Sequence, residues 1–195
     1  MRLILASASP RRAELLRAAG YEFGVLAVDI DERVKTDESP VDYVERLARQ
    51  KAERAMEELD GDVVVLAADT AVVVGDQILG KPHDVEDAAR MLRRLSGRTH
   101  QVMTGVCLKS ATATVSHVEI SDVSFVMLSE DQIAWYAASG EGRDKAGAYA
   151  IQGLASRFIP RIEGSYSNVV GLPIAALDGL IARLTAARSL LASGE

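Results

Sequence analysis

The run VVVLAADTAVVV at positions 63–74 is apolar apart from Asp69 and Thr70, and it has the length of one or two β-strands. It is too short to cross a membrane, and Asp69 interrupts it. With its flanking residues the run predicts either two strands, 62–69 and 71–79, or one long bent strand. The chain must therefore build part of its core from sheet.

The residues before this run alternate between strand and helix patterns. RLILA predicts a strand, residues 10–19 a helix, and FGVLAV a second strand. Residues 29–39 form a polar loop. Residues 40–59 have an apolar stripe with helical spacing, which predicts a long helix.

The residues after the run add a different pairing pattern. A helix is predicted from Asp84 to near Leu95, and the segments 100–110 and 115–128 predict an antiparallel pair with a turn between them. Ser129 is placed to cap a further helix, and the C-terminal segment predicts an amphipathic helix packed on the body. Strands separated by helices in one half and paired directly in the other predict an α/β fold with a mixed sheet.

Composition limits the function classes. The chain has 195 residues and a net charge of −6, which suits one domain or two small lobes and argues against broad nucleic-acid binding. A small phosphorylated ligand still fits, because it requires only local positive charge. The single cysteine, Cys107, excludes an internal disulfide and is expected to lie buried in a strand. With no secretory signal or membrane span in the sequence, we expect a cytoplasmic protein.

Two arginines stand where the first helix is predicted to begin. Ser9 is placed to cap this helix, which puts Arg11 and Arg12 in its first turn. A helix start carries partial positive charge and favours acidic residues, as the next two predicted helices show. Free N–H groups, serine hydroxyls and two guanidinium groups in one loop would suit a phosphate-bearing ligand. The alternative is that both arginines reach outward to surface carboxylates.

Acidic residues offer two candidate sites. The motif DIDE, residues 29–32, could bind a divalent cation through carboxylate oxygens, although a solvated turn is the simpler reading. Asp69 lies inside an apolar run, where an isolated carboxylate is costly to bury. It is therefore expected to be paired, metal-bound or catalytic, unless it marks a turn at the end of a strand.

Two lysines occupy informative positions. Lys51 falls on the apolar stripe of the predicted helix 40–59, so its ammonium either extends to the surface or points into a site. Lys81 follows a glycine and precedes Pro82, which would restrain a loop able to hold a phosphate. The alternative for Lys81 is an ordinary surface turn.

These features occur within a series of segments that resembles the Maf family of nucleotide pyrophosphatases. The resemblance extends in order from about Leu3 to Pro173. The segments that carry it are LASASPRRAELL, DIDE, RLARQKA, AADTAVVV, LGKP, LSGRTHQVMTGV, DKAGAYAIQG and GSYSNVVGLP. The resemblance implies that residues 1–195 form one domain with a Maf/inosine-triphosphatase-like α/β fold, a mixed sheet and two lobes around a central cleft.

The same resemblance implies an activity and a set of site residues. The implied reaction is hydrolysis of a nucleoside triphosphate between the α and β phosphates, with Mg²⁺ or Mn²⁺ as cofactor. Ser9 and Arg12 would bind phosphates, and Lys51 and Lys81 would neutralise charge. The implied metal ligands are Glu32 and Asp69. Asp69 would also be the proton acceptor.

Substrate choice can be inferred within the family. The branch that acts on dTTP and UTP has arginine, threonine and glutamine at three positions, which here are Arg11, Thr70 and Gln152. The resemblance therefore points to dTTP and UTP, with modified pyrimidine nucleotides as further substrates and a house-cleaning role. A homodimer is the family-like expectation, with neither nucleic acid nor membrane as partner. The alternative is a nucleotide-sensing regulator of cell division and septum formation with little hydrolysis.

Overall fold

The computed structural model describes residues 2–193, and the side chains of residues 2–190, as an α/β fold around a mixed seven-stranded sheet. The strands are β1 (Arg2–Leu5), β2 (Gly24–Val25), β3 (Val63–Val74), β4 (Gln77–Leu79), β5 (Thr99–Lys109), β6 (Thr114–Ser124) and β7 (Arg161–Glu163). The helices are α1 (Pro10–Ala18), α2 (Pro40–Met56), α3 (Val85–Leu95), α4 (Glu130–Ser139), α5 (Tyr166–Val170) and α6 (Ile174–Ser193). Short 3-10 helices lie at Ala146–Ala148 and Leu154–Phe158.

The sheet confirms the predicted mixture of parallel and antiparallel pairing. Its strand order is β2-β1-β3-β5-β6-β7, with β4 beside β3. β1 runs parallel to β2 and β3, whereas β5, β6 and β7 continue the sheet in antiparallel pairs. The apolar run forms one long strand, β3, and a two-residue turn leads into β4.

Two predicted strands are shorter than the sequence pattern indicates. Of the segment FGVLAV, only Gly24 and Val25 form a strand. They pair with Ile4 and Leu5, the last two residues of β1. The segment 115–128 leaves the sheet after Ser124, which pairs with Thr99 at the start of β5. Beyond that point the segment pairs with the turn that precedes β5, since the N–H of Phe125 donates to the carbonyl of Arg98 at 2.9 Å.

One edge of β3 is interrupted where its two polar residues lie. β1 pairs with the segment from Val63 to Leu66, and β4 pairs with the segment from Val72 to Val74. Between them, residues 67–71 have no strand partner on that edge, whereas β5 pairs with β3 along the opposite edge. Asp69 and Thr70 therefore lie in a gap of the sheet, next to the carboxyl end of β1.

Helices cover both faces of the sheet. α1 and α6 pack on one face, where Leu66 and Leu108 contribute to a buried cluster, and α2 packs on the other face against Val65 and Ala67. A further cluster joins α3 and α4 to the far end of β3 and β5. Since side chains alternate along a strand, Thr70 lies on one face between two apolar clusters, and Asp69 faces α2.

Several local predictions are confirmed. The hydroxyl of Ser129 accepts a hydrogen bond from the N–H of Gln132 in a capping box, and Asp84 caps α3. Cys107 is buried in β5, and burial raises the pKa of its thiol to about 11. α6 buries Leu177 and Leu180 against the body. None of the helices in the described part of the chain is long and apolar enough to span a bilayer.

Gly105 allows α2 to approach the sheet closely. It pairs with Asp69 across the β3–β5 ladder, and a Cβ at this position would collide with the backbone carbonyl of Val44 and lie 2.8 Å from the N–H nitrogen of Glu45. We expect Gly105→Ala to lower the free energy of unfolding by about 1–3 kcal/mol through overpacking. Urea denaturation measures this change.

Gly179 provides the matched control for that substitution. It lies in α6 with no atom near the position of an added Cβ. Gly179→Ala should leave stability unchanged or raise it by about 0.5–1 kcal/mol, because alanine is the better helix former. Equal stability of Gly105→Ala and the wild type would contradict close packing at this crossing.

His100 makes stability depend on pH. Its ring is buried against Phe125 and Tyr149, and Nε2 lies 2.8 Å from the Tyr149 hydroxyl. Burial lowers the pKa of His100 from its ordinary 6.5 to about 4. Between these values the unfolded chain binds more protons than the folded one, so stability is lost as pH falls through this window.

We expect this histidine to contribute up to about 3 kcal/mol to the loss of stability between pH 7 and pH 4. Urea denaturation at both pH values should show a smaller loss for His100→Gln than for the wild type. Identical losses in the two proteins would assign the acid sensitivity to other groups.

Candidate active site

Asp69 is the acidic centre of the gap in the sheet. Its side chain faces α2 and is 11% exposed. The Lys51 ammonium donates to its Oδ1 at 2.6 Å, whereas Oδ2 accepts no hydrogen bond from the described residues. Asp69 is therefore a paired carboxylate with one oxygen left for another donor, rather than a residue in a turn at a strand end.

Lys51 connects two carboxylates. It lies on the buried stripe of α2, 9% exposed, and its Nζ is also 2.7 Å from Oε1 of Glu32. Of the two alternatives for Lys51, the structure supports the ammonium that points into a site. An acid–lysine–acid group of this kind leaves one net negative charge beside the gap.

Glu32 of the DIDE motif reaches the gap, where its carboxylate pairs with Lys51. Asp31 instead pairs with Arg33 at the surface. Tyr43 on α2 donates a hydrogen bond to the backbone carbonyl of Glu32 at 3.0 Å and so fixes the loop on the helix. Partial burial opposes ionisation of Glu32, but the hydrogen bond and charge of Lys51, with the charges of Lys81 and Arg12, lower its pKa overall.

Arg12 forms the cationic side of the gap. Its guanidinium donates to the carbonyl of Gly171 at 2.8 Å, to the hydroxyl of Ser7 at 3.1 Å and to the hydroxyl of Thr70 at 3.0 Å. Burial lowers the pKa of Arg12, and the nearby charge of Asp69 partly offsets this effect. The alternative that both arginines reach outward to surface carboxylates is therefore wrong for Arg12.

The start of α1 departs from the predicted cap. Ser9 occupies the N-cap position, but its hydroxyl makes no capping bond. The N–H of Ser9 donates to the Ser7 hydroxyl at 3.2 Å. The N–H groups of Arg11 and Arg12 have no acceptor among the described residues. Unpaired donors at a helix start are what an anionic ligand would use.

The remaining predicted residues lie around this centre at different distances. Lys81 is exposed in the loop between β4 and α3, close enough for its charge to lower the pKa of Glu32. Arg11 reaches a surface carboxylate, since its guanidinium lies 3.9 Å from the carboxylate of Asp144, and its charge helps to lower the pKa of Arg12. Gln152 is exposed in a turn, and no hydrogen bond joins it to the acidic pair in the described structure.

A polar relay behind Arg12 was not predicted from the sequence. The Thr70 hydroxyl lies 2.9 Å from that of Thr104, which in turn donates to the backbone carbonyl of Asn168 at 3.2 Å. Asn168 is fully buried and donates to Ser121 and to the carbonyl of Val102. A threonine inside the apolar strand β5 was the sequence signal that could have identified this relay.

The chemistry of the donor set fits a divalent cation. Glu32 and Asp69 bring carboxylate oxygens to one common point, the Lys51 ammonium. No group of three or more histidine, cysteine or acidic side chains suited to a metal occurs in the described residues. Mg²⁺ is commonly held by one or two carboxylates, with water and substrate phosphates completing its shell, and this pair offers that arrangement.

Comparisons with known proteins found relatives that match most of this chain. A dTTP/UTP pyrophosphatase of Hahella chejuensis is 53% identical over 89% of this chain and 87% of its own length. One from Anaeromyxobacter dehalogenans is 51% identical over 93% of both chains. The solved Ham1 protein of Staphylococcus aureus aligns with a TM-score of 0.48 and 16% identity, covering 81% of this chain and 91% of that one.

The family assignment rests on the match along the chain. The sequence model of the Maf-like proteins matches residues 2–184, which include every residue of the gap described above. The order of the segments and the convergence of Arg12, Glu32, Lys51 and Asp69 in one gap are consistent with that match. This chain belongs to the Maf family.

Proposed function

We propose that this protein hydrolyses the nucleoside triphosphates dTTP and UTP to the monophosphate and pyrophosphate. The observation that carries the proposal is the gap beside β1, where cations and two carboxylates face each other. The names of relatives at about 50% identity over most of the chain support the same substrates.

The cationic groups suit the triphosphate. Arg12 and the unpaired N–H groups at the start of α1 lie on one side of Asp69, and Lys51 lies on the other. Lys81 lies on the loop after β4, from which its long side chain can reach the outer phosphates. A triphosphate carries three or four negative charges, so several cations are needed to bind it beside acids.

Asp69 is proposed to act on the attacking water. Its Oδ2 is free of hydrogen bonds from the described residues and can accept the water proton, while Lys51 holds Oδ1 and fixes the carboxylate. The water oxygen forms a bond to the α-phosphorus as the bond to the α–β bridging oxygen breaks. Pyrophosphate leaves with the electron pair of that bond, and Arg12 and Lys81 stabilise its charge.

Glu32 and Asp69 are the residues proposed to hold Mg²⁺ or Mn²⁺. When bound, the cation would neutralise phosphate charge and increase the acidity of water. Lys51 keeps the two carboxylates close together in its absence. Without the cation we expect negligible turnover, because the triphosphate would meet two uncompensated acids.

The nucleobase is proposed to be recognised on the side of Arg11 and Gln152. A glutamine amide both donates and accepts, which matches the edge of a pyrimidine ring. The Thr70 hydroxyl is bonded to Arg12 and Thr104, so Thr70 is proposed to affect the bound substrate through Arg12. Modified pyrimidine nucleotides fit the same proposal, which would give the enzyme a house-cleaning role.

A panel of nucleoside triphosphates tests the function. The purified protein is incubated with each nucleotide and Mg²⁺ or Mn²⁺, and pyrophosphate and orthophosphate are measured separately. We expect pyrophosphate from dTTP and UTP at higher kcat/KM than from purine nucleotides. Release of orthophosphate would indicate a phosphatase instead. Nucleotide binding without any product would indicate the regulator of cell division.

Substitution at the base-recognising side should change preference more than rate. We expect Gln152→Ala to lower the kcat/KM ratio of dTTP over dGTP by about tenfold, because the proposed hydrogen bond of the Gln152 amide is made to the pyrimidine base only. The kcat for dTTP should change much less. An unchanged preference profile would contradict the role of Gln152.

Two further properties follow from the family resemblance. We expect a homodimer, which light scattering of the purified protein would test. We also expect the protein to act in the cytoplasm, where its proposed substrates are used.

A further inference from the structure

Tyr136 and Glu141 form a buried hydrogen-bonded pair beneath the segment that carries Gln152. The Tyr136 hydroxyl donates to Oε2 of Glu141 at 2.8 Å, and the Tyr136 side chain is 1% exposed. Tyr136 lies in α4, within the cluster that joins α3 and α4 to the sheet. One member of the pair therefore belongs to the rigid core.

The pair binds the backbone on both sides of Gln152. Before it, the N–H of Ala150 donates to the Tyr136 hydroxyl at 3.0 Å. After it, the N–H of Leu154 donates to Oε1 of Glu141 at 2.8 Å, and that of Ala155 lies 3.4 Å from Oε2. Gln152 thus lies in a turn whose two ends are attached to the same two side chains.

Gly153 shows how closely this turn packs on the pair. A Cβ at Gly153 would collide with the carboxylate of Glu141. The glycine therefore lets the backbone rest directly on Glu141. The turn thus contacts Glu141 at Gly153, whereas no hydrogen bond joins the Gln152 side chain to another described residue.

The same segment also borders the phosphate side of the gap. The N–H of Gly147 donates to the carbonyl of Gly80, the residue before Lys81, at 3.1 Å. Asp144 lies beside Arg11, and Lys145 donates to the carbonyl of Glu141 at 2.6 Å. A shift of the segment would consequently alter the base-recognising side relative to the triphosphate.

We propose that Tyr136 and Glu141 are positioning residues that fix Gln152 and thereby set the discrimination between pyrimidine and purine nucleotides. This inference rests on the proposed function. Neither residue needs to touch the nucleotide, because both act through the backbone of the turn. Their loss should therefore alter selectivity while the acid–lysine–acid group remains intact.

The test compares Tyr136→Phe with the wild type in the full chain. Phenylalanine keeps the packing but removes the hydroxyl that joins Ala150 to Glu141. We expect the kcat/KM ratio of dTTP over dGTP to fall about tenfold, mainly through a higher KM for dTTP, with kcat within about twofold. Hydrogen exchange at the Ala150 amide, measured without nucleotide, should become at least about tenfold faster, because its acceptor is gone.

Tyr21→Phe is the matched control. Tyr21 also donates its hydroxyl to a carboxylate, that of Asp178 at 2.5 Å, but on the side formed by α1 and α6. It should leave selectivity and Ala150 exchange unchanged. Glu141→Gln replaces one acceptor oxygen by a donor, so we expect selectivity to change in the same direction as in Tyr136→Phe. This second variant tests the proposal if Tyr136→Phe does not fold.

The outcomes separate this inference from the proposed function. A wild type that prefers pyrimidines, with variants that keep the same preference, overturns the positioning role. An equal fall of kcat for all nucleotides also overturns it, since that result indicates general damage. A wild type without hydrolysis refutes the function, and unchanged Ala150 exchange in Tyr136→Phe refutes the positioning independently of any substrate.

Discussion

Asp69→Asn is expected to retain the fold and to lose nearly all hydrolysis, on the order of 10³-fold in kcat or more. The amide has the shape of the carboxylate and can still accept a hydrogen bond from Lys51 through its oxygen. It cannot take a proton from water, and it is a poor ligand for a divalent cation. Pyrophosphate release from dTTP measures the rate, and circular dichroism with thermal unfolding verifies the fold.

Asp31→Asn is the control for this substitution. Asp31 belongs to the same acidic motif as Glu32, yet its carboxylate pairs with Arg33 at the surface. It should therefore keep the wild-type rate. Wild-type-like turnover by folded Asp69→Asn would remove Asp69 from the chemistry.

Arg12→Lys is expected to lower kcat/KM by about 10²-fold although the charge is unchanged. A lysine cannot reproduce the three hydrogen bonds that the guanidinium makes to Gly171, Ser7 and Thr70. The start of α1 would then lose its connection to β3 and to the turn at Gly171. Leaving these partners unpaired should also lower the free energy of unfolding by about 1–3 kcal/mol.

Arg17→Lys controls for a general effect of lysine in α1. Arg17 lies near the end of the same helix, where its guanidinium stacks over Phe23 at the surface. The control should have wild-type kcat/KM. If Arg12→Lys also retained full activity, positive charge alone would suffice at that position, and the hydrogen-bonded geometry would be irrelevant to catalysis.

Most of the fold could be predicted because it follows from local patterns. The apolar spacing of α2, the caps at Asp84 and Ser129 and the β5–β6 hairpin each depend on neighbours in sequence. The predicted length was wrong for the strand FGVLAV. Its length depends on the partner strand β1, which pairs only with Gly24 and Val25. The prediction was also wrong at Ser9, whose hydroxyl is not used as a cap.

The residue patterns indicated each candidate site residue separately. The family resemblance predicted that these residues form one site. Composition and spacing did not show whether the Lys51 ammonium extends to the surface or points into a site. Periodicity indicates which face of a helix is buried, but not which groups pack against it. The structure decides this question with Asp69 opposite the Lys51 ammonium. The relay through Thr104 and Asn168 was not predicted, because it depends on hydrogen bonds between residues far apart in the sequence.

Most helices and strands could be inferred from local periodicity, and the family from the ordered segments. β7 and α5 were not predicted, because the stretch that contains them shows no clear period. The tertiary structure decided that Arg12, Glu32, Lys51 and Asp69 meet. Their convergence depends on β1 ending where β3 continues, and on α2 lying close to the sheet at Gly105. The physical reason is that a charged side chain is stabilised by groups near it in space, and long-range strand pairing selects those groups.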